Sequence, residues 1–108
     1  MKMTTEIKFK EDVLEKSGIS VVKFYADWSG TSQMMMPAFE QLADTYKMSA
    51  RFLKVDIDSN PLLKERYGVM ELPTILFFQN GTIIDHVSGM ISKNALIAKM
   101  ENSLSNNN

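Results

Sequence analysis

The sequence predicts an α/β domain: a mainly parallel sheet with helices on both faces, closed by an antiparallel hairpin. Three observations carry this. Residues 19–26 (Ile-Ser-Val-Val-Lys-Phe-Tyr-Ala) form a nearly continuous β-branched and aromatic run, as in a strand covered on both faces. Residues 32–48 place Met35, Met36, Phe39, Leu42, Ala43 and Tyr46 at helical spacing. Asn80-Gly81, between the apolar runs 74–78 and 82–87, is a strong signal for a two-residue hairpin turn. The expected order is β-α-β-α-β-α-β-β-α in a single domain over residues 1–108, with no linker and no internal repeat.

Taken in order, residues 4–9 alternate loosely (Ile7, Phe9) and predict a short first strand. Residues 10–17 predict a short helix, with Val13 and Leu14 on one face and Gly18 as its C-terminal cap. After the strand at 19–26 comes the helix at 32–48. Pro37 falls inside it and is expected to kink it near Met36, because proline lacks a backbone donor and crowds the preceding turn. Residues 51–56 (Phe52, Leu53, Val55) are a second buried strand. Asp58-Ser59-Asn60-Pro61 reads as a helix start, Leu62, Leu63 and Tyr67 as the apolar face of that helix, and Gly68 as its end. The hairpin follows. Residues 92–104 form a closing amphipathic helix with Ser92 as cap, and the polar tail from about residue 104 to 108 is expected to fray.

The totals exclude several function classes. With 12 basic and 13 acidic residues the formal net charge is −1, so nucleic acid and anionic membrane surfaces are poor candidates as main partners. No apolar run is long enough to span a bilayer, and the first ten residues lack a signal-peptide core. The expected location is the cytoplasm, unless the chain is a mature form whose leader has been removed. The absence of cysteine removes disulfides, thiolate metal sites and thiol catalysis, and no set of ligands for a metal or another cofactor stands out. Nine methionines suggest adaptable packing, including at a surface that receives partners. Met34, Met35 and Met36 stand in a row, and at helical spacing Met35 and Met36 are expected to pack inward.

The stretch between the first long strand and its helix is Trp28-Ser29-Gly30-Thr31-Ser32. With Phe24-Tyr25-Ala26-Asp27 before it and Pro37 after it, it resembles the active-site segment of the thioredoxin family, with serine where the family has Cys-x-x-Cys. Val55-Asp56-Ile57-Asp58-Ser59-Asn60-Pro61, Tyr67-Gly68-Val69-Met70-Glu71-Leu72-Pro73-Thr74, Phe77-Phe78-Gln79-Asn80-Gly81 and Ser88-Gly89-Met90 follow in the family's register. The resemblance covers nearly the whole chain. It implies a thioredoxin fold and dithiol–disulfide exchange on protein substrates, with a thioredoxin-reductase-like partner. It also implies a cis peptide bond at Pro73. A shallow apolar groove for extended peptides would be formed by Trp28, Gly30, Thr31, Leu72, Pro73, Gly89 and Met90.

Two departures alter what can be expected. Ser29 and Ser32 occupy the positions of the nucleophilic and the resolving cysteine. The exchange needs a thiolate at the first position and a second thiol to resolve the mixed disulfide, and serine supplies neither. A serine nucleophile would need a positioned base, and His86, the sole histidine, lies in the distant hairpin. The expected role of the hydroxyls is to cap helix amides. The serine pair is read as an engineered Cys-to-Ser change in an oxidoreductase, with a natural redox-dead peptide-binding module as the alternative. The second departure is Lys23, where thioredoxins commonly carry a buried acid. Lys54 matches the usual partner of that acid, which brings two like charges together, and Asp56 on the same strand face is a candidate for the missing carboxylate. Lys23 is expected to snorkel, burying its stem and keeping its ammonium wet.

Overall fold

The computed structural model describes residues 1–105. Strands β1 (Lys2–Met3), β2 (Ile19–Tyr25), β3 (Ala50–Asp56), β4 (Thr74–Gln79) and β5 (Thr82–Ser88) form one sheet in the order β1-β3-β2-β4-β5. The β1–β3 and β3–β2 pairs are parallel, and β2–β4 and β4–β5 are antiparallel. Helices α1 (Gly30–Thr45), α2 (Pro61–Arg66) and α3 (Lys93–Ser105) and a π-helical turn (Lys10–Leu14) complete the predicted order.

All seven residues of β2 are buried, because the strand lies in the middle of the sheet and is covered on both faces. Its period of two divides the core. Val22 and Phe24 face one layer, with Phe9, Val13, Leu53, Val55 and Leu63, under the π turn and α2. Ile19 and Val21 face the other, with Met35, Phe39, Phe52, Ile75, Leu96 and Met100, under α1 and α3. The first layer is knit by rings. Phe9–Tyr67, Phe9–Phe78 and Phe24–Tyr67 have centroids 5.5, 5.9 and 6.0 Å apart, and each such pair adds about 0.5–1.5 kcal/mol beyond its buried area.

Four local expectations are revised. The first strand is Lys2–Met3, because the alternation of Ile7 and Phe9 does not place them on one face: Ile7 is exposed, whereas Phe9 is buried at the start of the π turn. The helix expected over 10–17 is that single turn, closed by the bond from Glu15 N–H to the Lys10 carbonyl. Gly18 is therefore not its cap. With φ of +77° it turns the chain into β2, and it exchanges bonds with Asn80, whose Oδ1 accepts from Gly18 N–H and whose N–H donates to the Gly18 carbonyl. Asn60 does not cap α2 with its side chain: its Oδ1 accepts from Glu6 N–H, its Nδ2 donates to the Asp56 carbonyl, and the Glu6 carboxylate takes the Leu62 N–H.

Other boundaries agree with the reading. Gly68 ends α2 with φ of +60°, its N–H bonded to the Glu65 carbonyl and that of Val69 to Lys64, the pairing of a Schellman motif. Asn80 and Gly81 both have positive φ, as a tight hairpin turn requires. Ser92 Oγ accepts from Ala95 N–H at the start of α3. Helix α1 differs from the reading: it starts at Gly30 rather than Ser32, ends at Thr45 rather than Met48, and continues as helix through Pro37. Helix α3 differs too: it extends to Ser105, so residues 104 and 105 of the expected polar tail lie within it, and 106–108 lie outside the described residues.

Candidate functional site

Where β2 ends, the chain turns sharply: Ser29 N–H bonds the Ala26 carbonyl at 3.1 Å and Gln33 Nε2 bonds the Asp27 carbonyl at 3.2 Å. Ser29 is the N-cap of α1, and its Oγ accepts the Ser32 N–H at 3.2 Å. Both serines are buried. Ser32 is only 1% exposed, and its hydroxyl has no partner in the structure. Trp28 is the opposite case: its ring is 69% exposed and is oriented by the bond from Nε1 to Asp58 Oδ2 at 2.9 Å.

Facing this loop is the segment before β4. The Leu72–Pro73 peptide bond is cis. The Pro73 carbonyl accepts Gly89 N–H at 2.8 Å, which ties this wall to the end of β5. Gly89 has φ of +84°, and a Cβ there would lie 2.5 Å from Glu71 Oε2. A cleft of about 180 Å³ is lined by Trp28, Ser29, Thr31, Ile57, Lys64, Val69, Met70 and Leu72. Of the groove residues expected from sequence, Trp28, Thr31 and Leu72 line this cleft directly. Pro73 and Gly89 are joined beside it, and Gly30 and Met90 are exposed. Sequence reasoning missed Asp58, read only as part of a helix start, and Met70, which is 92% exposed within a segment quoted for the resemblance. Met35 is buried as expected, Met36 is half-buried, and Met34 points outward.

Beneath the loop lies a layer of charge. Lys23 and Lys54 are register partners on β2 and β3, and Tyr25 pairs with Asp56. Lys23 does not snorkel: it is 1% exposed, enclosed by the strands on either side and by Phe39 of α1. Its ammonium lies 5.1 Å from the Phe39 ring centroid and 5.7 Å from that of Tyr25, and Lys54 Nζ also lies 5.7 Å from Tyr25. Burial, and then the Lys54 charge, push the Lys23 pKa below the ordinary lysine value, with Glu40 opposing in part. Burial and the charges of Asp56 and Asp27 push the Tyr25 hydroxyl up. Asp56 is half-buried, and its Oδ1 accepts Asp58 N–H at 2.9 Å. The carboxylate that acts on Lys23 is that of Glu40.

This arrangement offers an exposed ring beside a small cleft of mixed polarity, with two hydroxyls withdrawn from solvent. His86 lies on β5, opposite Leu76. Among the described residues no group of histidine and acidic side chains is arranged to hold a metal ion, and no helix is long and apolar enough to cross a membrane.

A family model described as Thioredoxin matches residues 1–102. The chain is 33% identical over 97 residues to thioredoxin of Chlorobaculum thiosulfatiphilum, covering 90% of each chain. It is 36% identical over 93 residues to thioredoxin of Rickettsia felis (86% of this chain, 89% of the other). It is also 35% identical over 100 residues to thioredoxin of Staphylococcus saprophyticus (93% and 94%). The fold, the loop and these similarities agree: the chain belongs to the thioredoxin family.

Proposed function

We propose that this chain uses the thioredoxin groove to bind extended segments of partner proteins and does not exchange disulfides. The observation that carries this reading is the fate of the two hydroxyls. Ser29 Oγ is used to hold the first turn of α1, and Ser32 Oγ is buried. Neither hydroxyl is hydrogen-bonded to a basic side chain, and an unactivated hydroxyl does not attack a disulfide at neutral pH. The ligand surface, by contrast, is kept: Trp28 is oriented by Asp58, and Thr31, Met70 and Leu72 line the cleft beside it. In this reading Gly30, Pro73, Gly89 and Met90 extend the groove, and the partners are proteins with or without a disulfide. Lys23, Lys54 and Asp56 form the polar layer beneath the loop and transfer no proton in turnover.

A second reading is an engineered Ser/Ser form of a protein-disulfide reductase. The observation in its favour is the intact cap: Ser29 holds the helix start without disturbing the loop. The double variant Ser29→Cys/Ser32→Cys separates the two. It is assayed for reduction of a protein disulfide with dithiothreitol as electron donor. Under the binding reading it reduces no faster than dithiothreitol alone. Turnover well above that background would replace the binding reading with the enzyme reading.

A further inference from the structure

A cluster of basic side chains lies away from the loop. Strands β2 and β3 are parallel, and Tyr25 and Asp56 pair at the loop end, so Ala50 marks the opposite end of the sheet. There a cleft of about 350 Å³ opens along the β1 edge, within the size range of small-molecule sites. Ala43, Ala50, Phe52 and Leu53 give it an apolar floor, and Lys2, Lys16, Lys47 and Arg51 line it. Asp12 is the one acid in the lining, so four cations against one carboxylate leave +3, in a chain whose formal net charge is −1.

These charges are not equally committed. The Asp12 carboxylate is buried and ion-paired to Lys2 at 2.9 Å, which neutralises both. Arg51 is held in place: its Nε donates to Ser20 Oγ and its Nη2 to the Ser17 carbonyl, fixing the guanidinium plane at the edge of the cleft. Lys47 has only a loose, exposed contact of 3.8 Å with Asp44. Lys16 is exposed on the same rim. A neighbouring hollow shares Met1, Ala43 and Lys47 and also holds Lys54, Glu40 and Asp44, so its lining is balanced where that of the first cleft is not.

We infer that this cleft is a binding site for a small amphipathic anion, an apolar body carrying one phosphate, sulfonate or carboxylate group. The apolar part would sit on Ala43, Ala50 and Phe52. The anionic group would lie between Arg51, Lys16 and Lys47, where a fixed guanidinium and two mobile ammonium groups can share it. Concavity with an apolar floor favours such a ligand over bare phosphate, and the cation excess favours it over a neutral one.

The test is a titration of the full chain with 1-naphthyl phosphate, followed by amide chemical shifts, with 1-naphthol and inorganic phosphate as separate probes. Saturable shifts centred on Ala50, Arg51 and Phe52 are expected, with naphthol and phosphate each about tenfold weaker or more. The exposed double variant Lys16→Glu/Lys47→Glu is expected to weaken naphthyl phosphate about tenfold, while Arg66→Glu/Lys93→Glu, the same change in net charge at exposed positions outside the cleft, leaves it within about twofold. Equal binding of naphthol would reduce the site to an apolar surface, and equal binding of phosphate to counterion condensation; either overturns the proposal. Shifts centred on the Trp28 indole, or a Lys16→Glu/Lys47→Glu variant that binds as before, overturn it as well.

Discussion

Lys23 and Lys54 stand opposite one another on β2 and β3, and both ammonium groups lie 5.7 Å from the ring of Tyr25. A buried position that the family commonly gives to an acid therefore holds a cation facing a cation. Burial first and Lys54 second lower the pKa of Lys23, while in the unfolded chain it keeps its proton up to about 10.5. Between the lowered value and about 10.5 the unfolded chain binds more protons, so stability is expected to rise with pH across that window. The raised pKa values of Tyr25, Tyr46 and Tyr67 act in the opposite sense above about pH 10, so the rise is read below that pH. Lys23→Met should flatten the rise and add about 1–2 kcal/mol at neutral pH, the relief of an uncompensated buried charge less the lost ring contacts. Urea unfolding at pH 7 and pH 9.5 checks both effects, and parallel pH profiles for the two proteins would contradict them.

The two serines, alike in sequence, should differ in stability. Ser29→Ala removes the oxygen that accepts the Ser32 N–H and is expected to cost about 1 kcal/mol. Ser32→Ala removes a buried hydroxyl that has no partner, so it should be neutral or stabilising by up to about 1 kcal/mol. Thermal unfolding of the two single variants gives the order directly.

Glycines at positive φ should fall into two groups. At Gly81 a Cβ would meet the Leu14 carbonyl oxygen at 2.1 Å, a backbone atom that cannot step aside, so Gly81→Ala should cost more than 2 kcal/mol, roughly the upper end for left-handed strain alone. At Gly68, where the same space is empty, Gly68→Ala should cost only about 1 kcal/mol of backbone strain. Chemical denaturation of both variants tests the ranking.

Much of this was legible in the residues. The buried run at 19–26, the helical stripe from Met35 to Tyr46 and the Asn80-Gly81 turn each stand on one dominant periodicity or turn type, and each formed close to where it was expected. The first strand was not legible. Two residues carry no periodicity, and β1 exists because Lys2 and Met3 fall beside Leu53 and Lys54 of a strand that is distant in sequence. The π turn was hidden for a similar reason, since Phe9 is pulled inward by Tyr67 and Phe78 rather than by local alternation. At the site, the serine cap was readable from its place before a helix. The Trp28–Asp58 bond, and the burial of Lys23 under Phe39, depend on elements meeting in space.

Trp28 is the sole tryptophan and is exposed at the cleft, so its emission reports groove occupancy with no competing signal. The most direct test of binding without exchange is to titrate this emission with an extended apolar peptide that contains a disulfide, and with the same peptide reduced and alkylated. A saturable change of similar midpoint for both peptides is expected, with the disulfide recovered intact after incubation with the protein. No saturable change, or loss of the disulfide beyond a protein-free control, would contradict it.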